Sequence, residues 1–167
     1  MTLPVRFRNV RYYRIAGKYI FAGDLFITRG SLYFFPEVDL DEQRKTVEHV
    51  SHELALIALA IMYVTQRVSG GYVSRINFWK EGISDEQFQE KARAHIDSLK
   101  AERALATFSK TLPVPMHVGP NEISSLKLSA TGKLSFSAQS DTHDFSIGLF
   151  KKRRLRDALW EAGLGRV

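Results

Sequence analysis

The hydrophobic period changes twice along this chain, and that change limits the folds open to it. Towards both ends apolar residues recur at every second position, as one face of a strand requires. Between them the spacing is three and four, as a helix requires. The clearest strand pattern lies in residues 126–149. Leu126 and Leu128 alternate with Lys127 and Ser129, and Thr131-Gly132 marks a turn. Leu134, Phe136 and Ala138 then alternate with Lys133, Ser135 and Ser137, and Phe145, Ile147 and Leu149 do the same beyond Ser140-Asp141-Thr142. Three such runs predict an antiparallel meander with one face buried and one face wet. A final helix is predicted over 151–162, with Leu155, Ala158, Leu159 and Ala162 on one face. Gly163 fits the position just past its end, and Leu164 is placed to pack back.

The first 36 residues also read as strands. They hold nine of the nineteen aromatic residues, which suits a pleated, half-buried surface. Val5 and Phe7 alternate with Arg6 and Arg8, and Val10 and Tyr12 continue with the opposite parity. A parity shift of one residue predicts a bulge or break around Asn9. Tyr19, Phe21, Leu25 and Ile27 keep period two with Gly23 in the slot between them. Arg29-Gly30 marks a tight turn, and Leu32 opens a return strand that Pro36 is expected to end.

The middle of the chain is helical in pattern. Val47, Val50, Leu54, Ile57, Ile61, Val64 and Val68 are spaced three and four by turns, and from Leu54 to Val64 the chain is apolar all round. Gly70-Gly71 ends this stretch. A second helix is predicted from Ser84, which forms a capping box with Gln87, with Asp85 and Glu86 in its first turn. Phe88, Ala92, Ile96, Leu99, Leu105 and Phe108 are its apolar positions, and Pro113 closes it. The expectation is one α+β domain over residues 1–167, with a helical hairpin inserted at 38–112.

The hairpin's apolar surface can be covered by the rest of the chain, by a second copy or by a membrane. Heptad-like spacing favours helix on helix, so Val50, Leu54, Ile57, Ile61 and Val64 are the expected interface residues. Phe78 and Trp79, in the connecting loop, are further contact candidates.

Strands, an inserted helical pair, more strands and one terminal helix make an order that resembles the pleckstrin-homology-like superfamily. The stretch Gly23-Asp24-Leu25-Phe26-Ile27-Thr28-Arg29-Gly30-Ser31-Leu32-Tyr33-Phe34-Phe35-Pro36 is similar to the G-x-L-x-(I/L)-T-x-x-x-L-x-F hairpin of its GRAM-type members. Trp160 sits where such domains often carry a helix tryptophan. The resemblance covers 5–36 and about 114–164. It implies a bent antiparallel barrel of about seven strands closed by the C-terminal helix.

Charge divides along the same boundaries. The net charge is +6, yet residues 1–36 carry +5, residues 37–112 carry −2 and residues 113–167 carry +3. Lys151, Lys152, Arg153 and Arg154, with Arg156, form the densest cluster, at a helix start where the macrodipole favours acids. Arg6, Arg8, Arg11, Arg14 and Lys18 form the second basic group. Both are anion- or lipid-binding candidates, because a basic surface draws phosphate-rich partners through its summed field.

Other chemistries have little footing. With no cysteine, disulfides, thiolate metal sites and cysteine nucleophiles are excluded, which suits a cytoplasmic protein. The opening residues are basic without an apolar core and do not read as a secretory signal. His49 and His52 lie one helical turn apart, with His95 on the facing helix the obvious choice of third ligand, but no metal motif accompanies them. No nucleophile elbow or phosphate loop is present, so neither enzyme activity nor a cofactor is expected. The expected function is non-enzymatic: assembly with a second copy or a protein partner through the hairpin. The first alternative is a peripheral module binding anionic lipid at the inner face of the membrane. The second is nucleic-acid binding, with Phe7, Tyr12 and Tyr13 among the arginines as stacking platforms.

Overall fold

A computed structural model describes residues 2–14, 19–39, 76–105, 115–138 and 140–164. Seven strands form one antiparallel sheet: β1 Val5–Arg14, β2 Tyr19–Thr28, β3 Ser31–Asp39, β4 Met116–Val118, β5 Ser124–Leu128, β6 Lys133–Ala138 and β7 Asp141–Ser146. Their spatial order is β4-β3-β2-β1-β7-β6-β5. The sheet is open, with β4 and β5 at its edges, which corrects the expectation of a closed barrel. Two helices are described, α1 Asp85–Leu105 and α2 Lys152–Glu161. The predicted helix over 47–68, with Val50, Leu54, Ile57, Ile61 and Val64, lies outside the described residues.

Much of the strand chemistry follows the local pattern. The β1–β2 register slips between Phe7 and Val10, with Asn9 at φ 56°, so the parity shift is a bulge. Thr28 pairs with Ser31 across the Arg29-Gly30 turn, and Gly30 has φ 74°. Two boundaries differ from expectation. β3 runs through Pro36 to Asp39, because Pro36 falls at a second register slip and past the reach of β4, which pairs only with Leu32, Tyr33 and Phe34. No ladder bond is therefore demanded of its missing N–H. Gly23 opposes Pro36 at that slip, and a Cβ there would lie 2.1 Å from the Phe35 carbonyl oxygen. Only glycine fits so close an approach.

The second difference is at the end of the meander. β7 stops at Ser146, and Gly148, at φ 91°, turns the chain into a single 3-10 turn over Leu149–Lys151. Leu149 is thus not the last inward residue of a strand. α2 ends in a Schellman motif: Gly163, at φ 73°, donates its N–H to the Trp160 carbonyl, and Leu164 donates to Leu159.

The sheet carries a core on each face of β2–β3. The larger core joins Val5, Phe7, Val10, Tyr12, Leu25, Ile27, Phe34, Leu134, Phe136 and Phe145 to Leu155, Ala158, Leu159 and Ala162 of α2. The smaller joins Phe26, Tyr33 and Phe35 to Ile76, Ile83 and the α1 residues Phe88, Ala92 and Ile96. Phe26 and Phe88 rings lie 4.7 Å apart. Residues 21–28 are consequently all buried, which period two alone does not produce. Ser84 caps α1 by accepting the Gln87 N–H at 3.2 Å. The Asp85 carboxylate accepts the Arg29 N–H at 3.2 Å and the Gln89 amide at 2.7 Å, fastening α1 to the β2–β3 turn.

Candidate anion-binding surface

The β1 bulge and the start of α2 meet at one corner of the sheet, and this brings together cations that the sequence keeps far apart. Lys151 Nζ donates to the Arg8 carbonyl oxygen at 2.9 Å across a separation of 143 residues. The Arg154 guanidinium lies over the Phe7 ring, 5.6 Å from its centroid. On the other face of β1, Arg6 Nε donates to Asp24 Oδ2 at 2.7 Å and a second guanidinium nitrogen reaches the same oxygen. Asp24 is fully buried, while Arg6 keeps some exposure and lies over the Phe26 ring.

Partial desolvation pushes the Lys151 ammonium below its ordinary lysine range. Asp24 opposes that shift, and Arg154 and Arg8 add to it. Burial is thus the main cause of the shift, and the like charges of Arg154 and Arg8 each add to it less than Asp24 opposes it. α2 meets these cations without help, since its first turn has no acidic residue and its N-terminus has no side-chain cap. Arg8, Arg153 and Arg154 are exposed and Lys152 is half-buried.

The remaining candidates stand elsewhere. Arg156 is paired with neighbouring Asp157 at 3.5 Å. Arg11 is exposed farther along β1, opposite Ala22 and Ser146. Arg14 is placed only by register, opposite Tyr19 and His143, and Lys18 lies outside the described residues. Phe78 and Trp79 are partly buried against the smaller core, with Trp79 5.1 Å from the Phe26 ring, so they pack within the chain. His95 sits among the rings of Phe35 and Phe78. Among the described residues no cluster of three metal-ligating side chains occurs. Trp160 is 62% exposed, on the face of α2 opposite its buried residues.

Two residues that the sequence pattern had hidden join the basic corner. Leu149 is 60% exposed and Phe150 is fully exposed, immediately before Lys151 in the 3-10 turn. The signal for them was present, since Gly148 interrupts the alternation and four cations follow at once. A large apolar pair standing in water beside a charge cluster marks an interaction surface more often than an isolated exposed leucine does. Among the described residues no helix is long and apolar enough to cross a membrane. Comparison with protein-family models, curated proteins and solved structures finds no match for this chain.

Proposed function

We propose that this protein is a non-enzymatic, pleckstrin-homology-like module that attaches to anionic lipid surfaces through the corner where β1 and α2 meet. The observation that carries the reading is the convergence of Arg8, Lys151 and Arg154 from opposite ends of the chain, next to Lys152 and Arg153. Seven antiparallel strands with a terminal helix over the larger core support the family likeness, here with an open sheet. On this reading the protein works at the cytoplasmic face, peripheral to the membrane. The site offers cations and apolar side chains, a set suited to holding an anion rather than to transferring a group.

Assembly through the hairpin rests on residues 47–68 alone. α1 lends it no support, because Phe88, Ala92 and Ile96 are spent on the chain's own sheet. Co-sedimentation with phosphatidylcholine vesicles containing phosphatidylserine tests the membrane reading. Binding should fall steeply with added salt. Each cation near an anionic surface contributes about 1 kcal/mol, so Lys152→Ala, Arg153→Ala and Arg154→Ala together should weaken binding roughly a hundredfold. Vesicles that fail to bind the unaltered protein at low salt would end the proposal.

A further inference from the structure

We infer that Leu149 and Phe150 form a wedge that enters the acyl region of an anionic bilayer, with the adjoining cations seated in the headgroups. The inference rests on the membrane reading above and adds a depth and a site to it. Phe150 is as exposed as in a free extended chain, and Leu149 beside it is 60% exposed. Both stand on a 3-10 turn whose entry is set by Gly148 and whose exit is α2, so they are held by structured chain on both sides. The turn carries no acid, and the next four residues are Lys151, Lys152, Arg153 and Arg154.

Apolar tips followed by four consecutive cations match the layering of an anionic leaflet, apolar below and negative at the surface. A single electrostatic signal gives shallow, salt-sensitive adsorption. A second, apolar signal is what turns adsorption into anchoring. A nucleic acid fits the pair less well, since Leu149 has no π-face on which a base could stack.

The chain has no cysteine, so Phe150→Cys provides a unique attachment point for an environment-sensitive fluorophore. Asn121→Cys, in an exposed turn between β4 and β5, serves as the control. On phosphatidylserine-containing vesicles the probe at 150 should shift to the blue and be quenched by nitroxides on the acyl chains, while the probe at 121 should not. Separately, Phe150→Ala and Leu149→Ala should each weaken vesicle binding by about tenfold while leaving its salt dependence intact. Normal vesicle binding with no acyl-chain quenching at 150 would overturn the wedge and leave surface adsorption standing. Absence of vesicle binding altogether would overturn both readings. A shift at 150 with single-stranded DNA and none with vesicles would assign the turn to nucleic acid and overturn the wedge as well.

Discussion

The outer face of β2–β3 and the corner between β1 and α2 solve opposite problems. At the outer face, α1 and the segment from Ile76 to Ile83 close over Phe26, Tyr33 and Phe35, and aromatic rings pack edge and face with little left in water. At the corner, cations gather at a helix start that disfavours them, and a leucine and a phenylalanine stand in solvent beside them. The first arrangement lowers the energy of the isolated chain, whereas the second raises it. On the membrane reading, the cost of this surface in isolation is offset by the lipid it meets. The two regions should therefore separate cleanly under mutation, one controlling folding and the other controlling binding.

The largest effect belongs to the sealed face. Phe88 is fully buried among Phe26, Tyr33, Phe78 and Trp79. Phe88→Ala should cost about 3–5 kcal/mol in chemical denaturation, as large-to-small changes at packed aromatics do. The fraction that stays folded should bind vesicles as the unaltered protein does. Leu149→Ser makes the converse case, with stability nearly unchanged and binding reduced. Weakened vesicle affinity in folded Phe88→Ala protein would break the comparison.

Asp24 lies between the two regions, and its substitution sharpens the boundary. Removing the buried carboxylate strips Arg6 of an ion-pair partner and should cost about 2 kcal/mol, since Arg6 retains a route to water. Asp24→Ala also deletes a negative charge that acts on Lys151, so vesicle binding should hold or strengthen. A loss of both stability and affinity would show that the corner's geometry depends on this pair.

A smaller effect comes from pH. Burial pushes the His117 imidazole below its ordinary value, Arg93 adds to that shift and Glu122 opposes it. The folded state therefore binds fewer protons than the unfolded chain. Stability is complete above the ordinary histidine value and should decline as pH falls from about 7 to about 5. Denaturation midpoints across that window check this, and His117→Gln should flatten the slope. Asp144 acts lower in the acid range. Burial alone raises its carboxyl, but bonds from the Ser135 hydroxyl and Lys133 outweigh it and hold the group below its usual value. Its contribution is lost as pH falls through that depressed value.

What could be read in the sequence was mostly what is decided locally. The bulge at Asn9, the turn at Arg29-Gly30, the Ser84 cap and the Gly163 stop each depend on a few adjacent residues, and each shows in the composition there. The docking of α1 was not legible. Phe88, Ala92 and Ile96 announce an apolar stripe without saying what covers it, and the run Tyr33-Phe34-Phe35 is the sequence sign of a strand buried on both faces. The basic corner was legible only as two separate groups, because Arg8 and Lys151 meet through the whole β1–β7 pairing. Period two does not extend past Gly148, where the backbone leaves the strand, so the alternation alone does not place Leu149 or Phe150.

The smallest expected change tests how completely the sealed face is sealed. Tyr33 is fully buried, stacks on His117 at 4.5 Å and meets Phe88 edge-on at 5.7 Å. Its hydroxyl and His117 Nε2 have no hydrogen-bond partner among the described residues. Burial raises the Tyr33 hydroxyl above its ordinary range, and nearby Arg93 opposes the rise. A buried hydroxyl without a bond bears a desolvation penalty that an apolar isostere avoids. Tyr33→Phe keeps the ring and its packing, so it should be neutral or slightly stabilising, within about 0.5 kcal/mol. It should also remove a loss of stability above about pH 10, where the unfolded chain releases this proton more readily than the folded one. A destabilisation beyond about 1 kcal/mol would mean that the hydroxyl finds a bond, with Arg93, whose charge already acts on it, the candidate donor, and that polar order reaches into a face otherwise held together by rings.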